Sequence, residues 1–440
     1  KPSSAASDVY KRQNQGFSIN LSSGGVSQTS NVNGVIKAKG TGLVNLNLSN
    51  NGLTISAAGD ITTAAGAVSI AATNLDSAGD ITTGSGNISF GSALNPVGDM
   101  AINSTTGNVS FGIVTASSKN LSVTTGGTVS MTNLINLVSG NLAVSGGGNV
   151  TFSNSVTAGS VNAKSTAGDV TFANTVTTSQ VGGFTSEATL STKATKIADA
   201  VDVQNGANAL VTGNLVVTSS LSGIITSSTG SISITGKVDA ANAGDDLALV
   251  SVNGAITIGG AVGSAATAMG DLVASGNTSF TANGAVTVSK LNLNQGAKFG
   301  SAINFAEAVK ATGTLGAVSI TSSGSGTINF AKSIEVTNST AIIRLTSVGG
   351  SLTVSGNITG KDDVLINSTS GAISIGGITT DQNDGRVDVI SDTGNITVAG
   401  PISTSGSGGV EDITIDTNIS GNIVVNGNIS TTGDGSIYVG

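Results

Sequence analysis

The chain has 440 residues, of which 63 are Gly, 3 Pro and 2 Tyr, with no Cys, His or Trp; 10% are charged and 3% aromatic. An ordinary globular domain is about one quarter charged, so the material for a charged helical surface is missing, yet a hydrophobic content of 38% at a net charge of −8 lets the chain bury apolar surface. Without His or Cys the common zinc, haem, iron–sulfur and thiol-nucleophile sites are excluded, as is a Ser-His-Asp triad.

The balance of 17 basic against 25 acidic residues opposes nucleic-acid binding, which needs basic patches. The sequence holds no run of about 18 apolar residues, so no membrane span is predicted. Aromatics are too scarce for the girdles of a transmembrane β-barrel.

Residues 1–16 read as a disordered leader. Within it KPSSAASDVYKRQ carries Lys1, Lys11, Arg12 and Tyr10 but no Gly. It resembles a translated sequencing-adaptor sequence; a natural basic linker is the alternative. On the first reading the natural chain extends further in the N-terminal direction.

Residues 17–181 are predicted to be regular coils. The pattern glycine, any residue, aliphatic, small polar, apolar recurs from Gly66, Gly86, Gly107, Gly127, Gly148 and Gly168, in steps of 20 or 21 residues. Each period carries an alternating segment before the glycine, such as Leu121–Val123, and a shorter one after it, such as the SNSVTA that begins at Ser153. Alternation of apolar and small polar residues is the signature of strands, and Gly, Asn, Asp, Ser and Thr supply the turns between them. One period of about 20 residues is thus three short strands and three corners.

Residues 182–212 lack the glycine motif and are read either as diverged coils or as an insertion with a short helix. In residues 213–440 the motif resumes, with longer corner loops expected around 259–300. The last residue of each copy gives a column of Ile70, Phe90, Phe111, Met131, Phe152, Phe172, Ile234, Ile258, Val288, Phe305, Phe330, Val354, Ile375, Val398 and Val425, which takes six of the ten Phe. A 20-residue alternation cannot close a core alone; stacking coils pairs the strand edges and piles like on like. The prediction is an all-β, single-stranded parallel β-helix (β-solenoid), right-handed, of roughly 17–20 coils spaced ~4.8 Å apart. This column becomes its internal ladder.

Candidate chemistry is sparse. Gly-Asp pairs recur at Asp60, Asp80, Asp99, Asp169, Asp245 and Asp271. A stacked column of carboxylates suits calcium; an Asx-turn at each corner is the simpler reading. Apart from that calcium option, no metal or cofactor is expected. Asp245-Asp246, Asp362-Asp363 and Glu411-Asp412 read as solvated corners. Arg386 with Asp384 and Asp388 is the one tight cluster with both signs of charge, and an exposed ion pair accounts for it. Glycoside hydrolysis needs two carboxylates facing one cleft, so no enzyme is expected. Sequons such as those at Asn87, Asn108, Asn149 and Asn395 follow from the repeat itself.

The segments GDITTGSGNISF (Gly79–Phe90), GNLAVSGGGNVTF (Gly140–Phe152) and KDDVLINSTSGAISI (Lys361–Ile375) resemble the β-helical repeats of filamentous haemagglutinin-like exoproteins exported by two-partner secretion. The resemblance covers most of residues 40–440. It implies an extracellular, surface-displayed bacterial adhesin, and this chain would be an interior piece of its shaft. The partners it implies are glycans or proteins of host or neighbouring cells and adjacent parts of a longer chain. A self-assembling sheath or surface-layer subunit is the alternative, and a polysaccharide-active β-helix enzyme a further one.

Overall fold

The computed structural model describes residues 17–20, 29–48, 51–180, 183–189, 194–197, 199–203, 207–218, 223–264, 268–293, 299–313, 317–381, 385–405, 412–432 and 435–440. The expected leader, 1–16, lies outside the described residues. The described chain is all-β without a helix, its parallel strands stacked as a β-solenoid of about 16 turns. That is fewer than expected because later turns are longer. Asp60 and Asp80 meet across adjacent turns 20 residues apart, whereas Lys310 and Glu335 meet 25 apart. The chain divides into two compact units, Lys1–Lys196 and Ile197–Gly440.

In the first unit a turn consists of a long strand, a motif strand and a short strand. Leu121–Thr125, Val129–Met131 and Ile135–Asn136 form one such turn, and Leu142–Gly146, Val150–Phe152 and Val156–Ala158 the next. Each strand pairs in parallel and in register with its equivalent, as in Leu121 with Leu142, Val129 with Val150 and Ile135 with Val156. Inward residues are aliphatic and buried while outward ones are small and polar, so alternation in sequence becomes alternation in burial.

The second unit repeats this local order, for example in Gly223–Ser227, Ile232–Ile234 and Val238–Ala240. Between 182 and 212 the described residues form the strands Phe184–Ala188, Ala194–Ile197, Ala200–Val203 and Ala209–Thr212. Around 259–300 the added length is partly strand rather than loop. Val286–Leu293 runs through a corner, pairing Val286–Val288 with Val309–Ala311 and Leu291–Leu293 with Val318–Ile320.

The column read from the sequence separates into two. In the first unit Ile70, Phe90, Phe111, Met131, Phe152 and Phe172 follow one another on the motif face. The Phe90 and Phe111 rings stack at 4.9 Å, and those of Phe152 and Phe172 at 4.7 Å. In the second unit Ile234, Ile258, Phe305, Phe330, Val354, Ile375, Val398 and Val425 share the motif face. Between Ile258 and Phe305 the position belongs to Ala282, not to Val288. Val288 pairs with Ala311 on the short-strand face. Its Gly284 copy satisfies the motif by spelling alone, because the preceding strand Phe280–Ala282 already occupies the motif face.

Candidate functional site

The motif glycines are explained by close approach. A Cβ built on Gly86 would lie 2.0 Å from the Gly66 carbonyl oxygen, and one on Gly107 would lie 2.1 Å from that of Gly86. Neither residue has a positive φ. The backbone of each turn thus rests directly on the glycine below.

A buried hydroxyl locks this contact, and sequence reasoning missed it. Ser165 Oγ donates to the Gly148 carbonyl of the preceding turn at 2.8 Å and accepts the Gly168 N–H of its own turn at 2.8 Å. Ser251 repeats the pair of bonds with Gly230 and Gly254, and Ser391 with Gly371 and Gly394. These hydroxyls sit at the inward end of the long strand, so each would be a costly buried polar group without its partners. The signal was available as Ser or Thr three residues before the motif glycine, at Thr63, Thr83, Ser104, Ser165, Ser251, Ser347, Ser368 and Ser391.

The Gly-Asp pairs are largely corner caps. Asp60 Oδ1 accepts the N–H of Asp80 one turn on at 3.0 Å, and Asp80 Oδ1 accepts that of Ala101 at 2.8 Å. Asp99 accepts from Asn120 through both its N–H and its side-chain amide, which in that order hold its carboxyl below the ordinary range. Asp169 takes the N–H of Ala194 and the Lys196 ammonium, the latter at 2.8 Å. Asn does the same work at Asn87, Asn108, Asn149 and Asn395, which are the sequon positions. Asp245 is buried and accepts from the N–H of Asn242, and Asp271 lies 3.9 Å from Lys290. Among the described residues no group of three or more Asp, Glu, His or Cys could hold a metal ion.

Around Arg386, Nε lies 3.1 Å from Asp388 and Nη2 lies 3.7 Å from Asp363. Asp384 and Glu411 lie outside the described residues. Burial raises the Asp388 carboxyl, Arg386 lowers it, and Asp363 and Asp412 raise it further. The Arg386 side chain is 47% exposed, the setting of an ordinary surface ion pair. The other charge pairs follow the same cross-turn pattern: Lys164 with Glu187 at 3.1 Å, Lys310 with Glu335 at 3.0 Å, and Lys361 with Asp381.

The most site-like surface of the first unit lies on its short-strand face. A cavity of about 440 Å³ spans the successive strands Leu75–Ser77, Leu94–Pro96, Val114–Thr115 and Ile135–Asn136. Its floor carries the outward residues Asp76, Asn95, Thr115 and Asn136, and Asn95 Nδ2 donates to Asp76 Oδ1 at 2.7 Å. Ile113 and Leu134, which directly precede the floor strands Val114–Thr115 and Ile135–Asn136, are exposed, as are Val97 and Val138, which follow the floor strands Leu94–Pro96 and Ile135–Asn136 in the chain. The last two of the floor strands shrink to two residues, and Ser118 (φ 61°) and Val138 (φ 54°) leave the sheet in the left-handed region. For a β-branched residue that conformation is a true outlier. It is held by the Val138 N–H on Asn136 Oδ1 and by the bond between the Ser118 and Ser139 hydroxyls.

Comparison with protein-family models, with curated proteins and with solved structures finds no match to this chain. No helix of the described residues is long and apolar enough to cross a membrane.

Proposed function

We propose that this chain is an extracellular component of a bacterial cell surface, serving as structural scaffold and adhesive, with glycans or proteins of other cells as partners. The observation that carries the reading is the repetition of the outward positions with the turns. On the motif face of the first unit Ser69, Ser89, Ser110, Ser130, Thr151 and Thr171 stand in register, one per turn. A surface that repeats at each turn offers many equivalent contacts, so weak single contacts add up to strong attachment. The likeness of Gly79–Phe90, Gly140–Phe152 and Lys361–Ile375 to haemagglutinin-type repeats supports the same reading.

The test has two arms. Antibodies raised against the chain should label intact cells of the source organism without permeabilisation. Beads coated with the 440-residue chain should adhere to other cells above beads coated with an unrelated β-solenoid. Label confined to permeabilised cells, or no excess adhesion, would overturn the proposal.

A further inference from the structure

The geometry points to the short-strand groove of the first unit as a binding site for a neutral glycan, an inference that rests on the adhesive reading above and names its ligand class. The argument begins with what the groove offers. Its floor presents side-chain amides, a hydroxyl and one carboxylate from Asp76, Asn95, Thr115 and Asn136, and no Lys or Arg lines it. Asp76 Oδ1 and Asn136 Oδ1 are already engaged, and what remains is a mixture of amide N–H donors and oxygen acceptors that complements a ligand whose hydroxyls both donate and accept. The floor repels phosphate, sulfate or sialic acid, since the one charge present is negative. Ile113, 42% exposed, and Leu134, 38% exposed, immediately precede two of the floor strands and offer aliphatic surface that suits the apolar faces of pyranose rings.

Extended peptides are disfavoured for a different reason. Strand addition needs free backbone at a sheet edge. This surface is a sheet face, and its backbone groups are already spent between turns, as in Leu94 N–H on Ile113 O, Val114 N–H on Leu134 O and Ala116 N–H on Asn136 O. Only side chains remain to recognise a ligand.

Two further features mark this surface as distinct from the rest of the unit. At about 440 Å³ the cavity falls within the range of small-ligand sites. Ser118 and Val138 are the only described non-glycine residues with positive φ, and the Val138 N–H donates to Asn136 Oδ1 in the groove floor. Backbone strain of that kind persists where the surroundings enforce it and clusters at ligand sites. With no aromatic platform in the lining, single-site affinity is expected near the millimolar range, about −4 kcal/mol, and attachment relies on multiplicity.

The test uses the full chain. Binding of maltotetraose, cellotetraose and mannotetraose is titrated by saturation-transfer NMR beside sialyllactose and a sulfated disaccharide. At least one neutral tetrasaccharide should bind with a Kd of about 1–10 mM, and more tightly than either anionic probe. Asn95→Ala and Thr115→Val, both outward-facing, should each weaken it about fivefold or more, while Thr82→Ala, outward on the strand Ile81–Thr83, leaves it unchanged. No neutral binding up to about 10 mM, tighter binding of an anionic probe, or equal binding by the variants would overturn the inference. Bead adhesion, measured on the same variants, separates the two readings. Adhesion undiminished in Asn95→Ala and Thr115→Val sinks the groove alone. Tetrasaccharide binding without adhesion sinks the adhesive reading alone.

Discussion

The Cβ position of Gly371 lies 1.9 Å from the carbonyl oxygen of Gly350, one turn earlier. The obstacle is backbone, not a flexible side chain, so it cannot step aside cheaply. Gly371→Ala should therefore cost at least about 1–3 kcal/mol. Because solenoid turns are coupled mainly to their neighbours, hydrogen exchange should speed up first in Leu352–Gly360 and Ile373–Thr380. Gly34→Ala, where a Cβ meets nothing within 4 Å, is the control and should change stability by less than about 0.5 kcal/mol.

Among the described residues the buried hydroxyls divide into those with partners and one without. Ser391→Ala strands the Gly371 carbonyl and the Gly394 N–H and should cost about 1–3 kcal/mol. Thr178 Oγ1 is buried and makes no hydrogen bond. Thr178→Val keeps the shape and removes that desolvated oxygen, so it should stabilise the chain by about 1 kcal/mol. Opposite signs in urea denaturation check both expectations; a loss in both variants would mean the Thr178 hydroxyl has a partner.

Phe305 and Phe330 stack at 4.6 Å with both rings buried. Phe330→Ala should cost about 3–5 kcal/mol, and Phe330→Leu markedly less. Their midpoints in thermal melts give the order directly. Equal effects would show that the turns close over the cavity.

Stability should depend on pH with opposite signs at two carboxylates. The Asp388 carboxyl is raised from its ordinary 3.8, chiefly by burial, so the folded chain holds that proton more tightly than the unfolded one. Its contribution is fully present below pH 3.8 and is lost as pH rises through the raised value. Glu187 is lowered from 4.5, first by its bond with Lys164, so its contribution is present above 4.5 and is lost as pH falls through the lowered value. Asp388→Asn should thus be more stable than the parent at pH 7, with the difference vanishing in acid. Glu187→Gln should be less stable at pH 7, also converging in acid. Denaturation at about pH 3 and pH 7 tests both.

Much of the architecture was legible because burial alternates as the sequence does. Val150, Thr151 and Phe152 read apolar, polar, apolar and sit buried, half-buried, buried. The face that each strand occupies was not legible. Val288 ends a correctly spelled motif yet lies on the short-strand face, since every wall of a turn accepts the same inward aliphatics. The Ser165–Gly168 tie was spelled out at a constant spacing but carried by a residue type that also fills turns. The groove could not be seen in sequence at all. It spans four short strands, two of them cut to two residues at Thr115 and Asn136, and no motif marks that shortening.

Val288, which ends a correctly spelled motif yet pairs with Ala311 on the short-strand face, bears on how such a gene can change length. Since a wall is defined by its neighbours rather than by its spelling, a single strand with its corner is the smallest block that can be gained or lost while the stack stays continuous. Related genes should accordingly differ in length by multiples of about one third of a coil, and recombination need not respect the boundaries of the twenty-residue repeat.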